Sequence, residues 1–242
     1  MTLAETYDII KRKYEKYIDS FKVVESVENH RNFWKPKKIK IILLAESHVF
    51  TKVSDHNHIL NYSTFENLEG CPTNFVKLVY CLGYGETNLA DIQRNYGTPQ
   101  FWKIFVSCVD KNQNFNKILI SKTINCQERL NNKIFILEKL KEHGIWLLDA
   151  SIVGLYNNNN KPSQKIMREI INISWDNHIS HKIKEVNPEK IIVIGKGVLN
   201  ILNTKLQHIE NIEKPFYQPQ PQARLSKEQL EKTFNRYYEF CN

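Results

Sequence analysis

Four polar clusters stand where short apolar runs end, and each carries side chains that could act on a bound molecule. Glu46-Ser47-His48 follows the run from Ile39 to Ala45, and Asp149-Ala150-Ser151 ends the run that starts at Gly144. Gly195-Lys196-Gly197 closes the run from Lys190, and Gln218-Pro219-Gln220 closes a short one from Pro215 to Tyr217. A carboxylate such as Glu46 can orient or activate water and offset a developing positive charge. Ser47 could position that water, and His48 could contact a phosphate or assist a leaving group. Asp149 accepts hydrogen bonds as the anion and can also donate when protonated. Plainer roles stand beside these: Glu46 as a helix cap or ion pair, Asp149 as a strand-end hydrogen bonder, His48 as a polar loop residue. Asp55-His56-Asn57-His58 has His-x-His spacing but no third ligand at a recognisable distance, so a solvated loop is expected there and no metal. The Gly195-Lys196-Gly197 cluster lacks the spacing of a nucleotide phosphate loop.

The elements that must position these groups follow from periodicity. Ile39–Ala45, Gly144–Ala150 and Lys190–Gly195 are short, branched and apolar, as expected for strands buried on both faces. Thr2-Leu3-Ala4-Glu5 has capping-box spacing. Tyr7, Ile10, Tyr14, Tyr17 and Phe21 then recur at helical intervals, so residues 3 to about 20 are predicted helical. A long helical pattern spans about Ser163 to Val186 and stops at Asn187-Pro188. Ser226-Lys227-Glu228-Gln229 caps a C-terminal helix with Leu230, Phe234, Tyr237 and Tyr238 on one face. Helices between short apolar strands predict an α/β fold: a three-layer α/β/α sandwich around a central, mainly parallel four-stranded sheet. Ligands of such sheets bind at the carboxyl ends of the strands, which selects the four clusters above.

The 242 residues fit a single domain, with 1–35 as an N-terminal helical extension and 226–242 as the C-terminal helix. No apolar run approaches the ~20 residues of a membrane span, and the first 21 residues lack a signal-peptide core. A cytoplasmic location and no membrane partner are therefore expected. The net charge of +8 suits a polyanionic partner such as nucleic acid. The five cysteines include no CxxC pair, so reduced structural thiols are expected rather than a zinc or disulfide framework.

Four segments, in order, resemble the uracil-DNA glycosylase superfamily across roughly Ile39 to Ser226. Leu44-Ala45-Glu46-Ser47-His48 is similar to its water-activating strand and turn, with Ala45 for the usual Gly and His48 where Pro is expected. Asn74-Phe75-Val76-Lys77-Leu78 resembles the segment whose ring stacks on the extruded base, which implies that role for Phe75; a core role is the alternative. Gly144–Ala150 resembles the strand ending in the base-reading Asn-Ala, with Asp149 at the Asn position. Gln218-Pro219-Gln220-Pro221 through Arg224 to Ser226 resembles the loop that enters the minor groove and touches phosphate and the leaving base. Gln218 takes its His position. The resemblance implies that Pro219, Gln220, Pro221 and Arg224, with Lys196, face DNA. Arg224 in a basic chain suits a phosphate contact. Some members hold an iron–sulfur cluster on four Cys; that pattern is absent here, so no cofactor is expected.

A base glycosylase must hold an extruded base and stabilise an oxocarbenium-like sugar while water attacks. Glu46 is the expected carboxylate beside the sugar. Uracil presents O4 as an acceptor and N3–H as a donor, which an Asn amide matches. Cytosine presents an N4 amino donor, which Asp149 can accept. The expected target is therefore a cytosine carrying a 5-substituent, such as the hydroxymethylated or glucosylated cytosines of bacteriophage DNA. Val49 and Phe50 follow His48, where a Tyr in uracil-specific members screens out 5-substituted pyrimidines. A monomeric antiviral glycosylase is expected. A repair enzyme for uracil or hypoxanthine and a non-catalytic DNA binder are the alternatives.

Overall fold

The computed structural model describes the chain except residues 66–67, 94, 119–123, 156–159, 208, 210–215 and 219–225, with backbone alone for 216–218. Thr2 caps the first helix, α1 (Leu3–Tyr14). Its hydroxyl accepts from Glu5 N–H while Glu5 accepts from Thr2 N–H, the reciprocal cap predicted from the spacing. The helix ends well before residue 20. A 3-10 turn, Glu15–Tyr17, leads instead into a second helix, α2 (Phe21–Phe33). The buried stripe of α2 mixes Val23, Val24 and Val27 with Ser26, His30 and Arg31. Those polar residues on the inner face mask the helical period in the sequence.

β1 (Ile41–Ala45) is buried at all five positions. The chain then passes through the short α3 (Val53–His56) to α4 (Pro99–Val109) and α5 (Cys126–Glu142). β2 (Ile145–Asp149) is again buried throughout. Next come α6 (Gln164–Ser174), a π turn at Trp175–Ile179 and α7 (Ser180–Val186), so the predicted helical stretch is present with one wide turn inside it. Ser163 caps its start, and left-handed Asn187 ends it before Pro188. β3 (Lys190–Ile194), α8 (Lys196–Leu206), β4 (Phe216–Gln218) and α9 (Lys227–Cys241) complete the order. The Ser226–Gln229 capping box opens α9 as predicted.

Three five-residue parallel strands carry the sheet. In place of a full fourth strand there is a three-residue edge, β4, giving the order β2-β1-β3-β4 with every pair parallel. The step from β1 to β2 and the step from β2 to β3 run in opposite directions across the sheet. Right-handed crossovers then send the connecting helices to opposite faces. The packing falls into two matching groups: α4 with α5 and α9, α5 on β2; and α1 with α6, α6 with α8, α8 on β3. Ala45 pairs in register with Asp149, so the loops after β1 and β2 leave the sheet at one level. No helix among the described residues is long and apolar enough to cross a membrane. All five cysteines are free thiols.

Candidate functional site

The loops after β1 and β2 stay tied together past the sheet. Ala150 N–H donates to the Ala45 carbonyl at 2.8 Å and Ser151 N–H to the Glu46 carbonyl at 3.0 Å. These bonds hold the Glu46 backbone beside the end of β2. A cavity of about 320 Å³ opens there, with Glu46, Ser47, His48 and Asp149 all in its wall. That volume is at the small end of ligand sites, roughly 300–1,000 Å³. The structure thus brings together the three predicted β1 residues and the predicted base reader. Ser47 Oγ accepts from Leu155 N–H at 3.4 Å, which turns the hydroxyl toward the second loop.

Beneath the cavity lies a chain of alternating charges that the sequence did not announce. Arg31 Nη2, from α2, donates to Asp149 Oδ2 at 2.7 Å; both side chains are almost fully buried. Arg31 Nη1 donates to Glu28 Oε2 at 2.8 Å, and Lys182 of α7 pairs with the other Glu28 oxygen. Burial pushes the Lys182 ammonium down to about 8. On the other side, His48 Nε2 lies 2.8 Å from Asp19 Oδ2, with both side chains wholly buried. Asp19 Oδ1 accepts from Gly154 N–H at 3.1 Å. A Cβ on Gly154 would stand 2.9 Å from Asp19 Oδ2 and 2.8 Å from the Phe50 backbone, so only glycine lets this loop approach. His48 Nδ1 has no hydrogen-bond partner among the described residues and stands 3.9 Å from Asp149 Oδ2, beyond hydrogen-bond reach.

The far wall comes from residues 84–101 and was not anticipated. It includes Tyr84, Thr98, Gln100 and Phe101. Gly85 and Gly97, both at positive φ, cross so closely that a Cβ on either would meet the other's Cα at 3.0 Å or less. Asn95 clamps the crossing: its Oδ1 accepts from Gly85 N–H at 2.7 Å and its Nδ2 donates to the Gly83 carbonyl at 2.9 Å. Burial pushes the Tyr84 phenol up to about 12. Phe75 does not line the cavity. It is fully buried and packs edge-on against Tyr84, ring centroids 6.2 Å apart; among the described residues, the aromatic residues lining the cavity are Tyr84 and Phe101.

The remaining expected contacts fall elsewhere. Lys196 is exposed at the start of α8, after left-handed Gly195 at the end of β3. The Gln218 backbone pairs with Ile194 in β4; Pro219, Gln220, Pro221 and Arg224 lie outside the described residues. In the His-x-His segment, His56 Nε2 shares a 2.8 Å hydrogen bond with Ser26 Oγ, and Asp55 accepts from Lys77 Nζ at 2.7 Å. No family model, curated protein or solved structure matches the chain.

Proposed function

We propose that this chain is a DNA N-glycosylase that extrudes a 5-modified cytosine and hydrolyses its glycosidic bond, leaving an abasic site. One observation carries the reading: Glu46 and Asp149 share one cavity at the ends of adjacent parallel strands. Glu46 is placed to orient water at the sugar, with Ser47 beside it. Asp149, its charge balanced by Arg31, is placed to accept from the cytosine N4 amino group. Tyr84 and Phe101, in the same wall, are the rings this reading assigns to pack against the extruded base. The two helix groups on a parallel sheet suit a three-layer, uracil-DNA glycosylase-like sandwich, and the charge of +8 suits DNA. We place the activity in the cytoplasm, in a monomer directed against phage DNA.

The test is abasic-site formation, read by alkali cleavage, on matched oligonucleotides carrying cytosine, 5-hydroxymethylcytosine, glucosylated 5-hydroxymethylcytosine, uracil or hypoxanthine. Cutting at the 5-modified cytosines alone is expected. Cutting at uracil or hypoxanthine returns the protein to repair. Tight binding with no cutting makes it a non-catalytic DNA binder. Glu46→Ala is expected to abolish turnover and leave oligonucleotide affinity nearly unchanged; full activity in that variant removes Glu46 from the mechanism.

A further inference from the structure

Outside the cavity, a group of exposed cations gathers at one edge of the sheet. α1 packs on α6, and α6 on α8. α1 and α6 run antiparallel. His178, in the wide turn after α6, shares a hydrogen bond with the Met1 backbone, while the Tyr14 hydroxyl at the end of α1 donates to Glu169 in the second turn of α6. From Tyr14 the chain passes through Glu15–Tyr17 to Asp19, whose carboxylate meets His48 and Gly154 in the loops after β1 and β2. The end of α1 and the start of α6 therefore stand at the carboxyl edge of the sheet, where the cavity opens.

Arg12 and Lys13 in the last turn of α1, Lys16 just after it, and Lys165 and Arg168 in the first turns of α6 are all exposed. Lys196, exposed at the start of α8, follows β3 at the same edge. None of these six is in a salt bridge among the described residues. The neighbouring acids are otherwise engaged: Glu15 pairs with Lys11 at 3.5 Å, and Glu169 accepts from Tyr14. Helices packed side by side lie roughly 8–10 Å apart, so cations shared among three of them suit an extended polyanion better than a point ligand. A membrane surface is one such partner, but a helix that lies on lipid carries exposed apolar side chains beside its cations. No large apolar side chain on α1, α6 or α8 is exposed. Duplex DNA, with a charge every ~1.7 Å along its axis, asks only for the cations.

Resting on the glycosylase reading, we infer that this edge is the track for the duplex flanking the extruded base. Arg12, Lys13, Lys16, Lys165, Arg168 and Lys196 contact its phosphates while the cavity takes the base. Such contacts fix register and orientation and read no sequence.

A second basic group supplies the control. Lys37, Lys38 and Lys40 are exposed just before β1, at the opposite edge. A five-residue strand, about 16 Å, separates the two groups, twice the ~8 Å screening length at 0.15 M salt. Affinity for a duplex carrying 5-hydroxymethylcytosine is measured across a salt series. The proteins are the full chain, Arg12→Gln/Lys13→Gln/Lys16→Gln, Lys165→Gln/Arg168→Gln, and Lys37→Gln/Lys38→Gln/Lys40→Gln. Each phosphate contact adds about 0.9 to the fall of log affinity with log salt. The α1 variant is expected to lower that slope by about 2.7 and the α6 variant by about 1.8. The control variant should keep the parent slope. Parent slopes in both edge variants, with cutting by the full chain intact, overturn the inference and leave the glycosylase reading standing. An equal fall in the control overturns it too, because net charge rather than this edge then sets the affinity. So does binding to phosphatidylglycerol vesicles that the α1 substitutions abolish while duplex affinity is unchanged. The expected slopes without cutting keep the edge as a DNA track and remove the glycosylase reading. No binding and no cutting by the full chain overturns both.

Discussion

Two groups of buried charge flank the cavity, and they are built to different rules. Behind the Tyr84–Thr98 wall, Glu86 is fully buried and saturated. Arg129 grips it with two nitrogens at 2.9 and 2.6 Å, Lys133 Nζ adds a third contact at 2.6 Å, and Cys126 Sγ lies 3.5 Å away. The Lys133 ammonium also lies 5.0 Å from the Trp102 ring centroid. Burial alone would raise the Glu86 carboxyl, but the two cations hold it below the ordinary range. None of these three residues has an unpartnered buried polar atom among the described residues. Beneath the strand ends, by contrast, two buried nitrogens in the chain from Lys182 to Asp19 have no partner among the described residues, Arg31 Nε and His48 Nδ1, and a 3.9 Å gap separates Asp149 from His48. A saturated cluster holds a loop in place. A cluster with buried nitrogens left unpartnered is not saturated in that way.

The largest effect is expected from breaking the saturated cluster. Glu86→Gln leaves two buried cations without their anion, and removing one partner of a buried ion pair costs about 3–5 kcal/mol. Urea denaturation should show that loss. If Glu86→Gln unfolds within about 1 kcal/mol of the parent, the cluster is not the anchor described and the contrast between the two regions fails.

A smaller effect, on pH, concerns a buried group in neither cluster. His30 neighbours Arg31 on α2, and its Nε2 donates to the Asn74 carbonyl at 2.9 Å. Burial pushes its imidazole down to about 4. The unfolded chain therefore binds more protons than the folded one between about pH 6.5 and 4. Stability rises with pH across that window: it is fully present above 6.5 and is lost as pH falls toward 4. Between pH 7 and pH 5 this group alone accounts for about 2 kcal/mol. His30→Gln keeps a donor for Asn74 and should remove that part of the acid sensitivity. An unchanged pH dependence of urea midpoints would place the sensitivity elsewhere.

How far the sequence led is clear from these same residues. β1, β2 and β3 were legible because five-residue branched apolar runs leave little else to form, and their ends marked Glu46 and Asp149. The partners of those residues were not legible. Asp19 is 29 positions from His48, and Arg31 is 118 from Asp149. Both belong to a segment that reads as a helical extension, because polar residues on the buried face of α2 hide its period. Tyr84 and Phe101 were missed for another reason: a glycine crossing and an asparagine clamp, with no hydrophobic period, place the wall they form. The short β4 was read at its right length but one residue early, as Pro215–Tyr217 against Phe216–Gln218, since three residues carry too little pattern to fix a strand's ends.

The smallest expected change in stability falls on the residue with the largest expected change in chemistry. Asp149→Asn keeps an acceptor for Arg31, which also retains Glu28, so the cost should be about 1 kcal/mol, that of one weakened charged hydrogen bond. The amide now presents a donor beside its acceptor. That pair matches O4 and N3–H of uracil, and it sets a donor against the cytosine amino group. Preference should therefore move from cytosine toward uracil, by about 1–3 kcal/mol of discrimination, read as the ratio of excision rates on matched oligonucleotides. Should Asp149→Asn instead destabilise the fold as much as Glu86→Gln, the strand-end cluster is a second structural anchor. Should it fold well and keep its preference, the base is read by a different group in the cavity wall. Only a stable variant with altered preference fits a charge network that holds Asp149 in place without using up its capacity to bind.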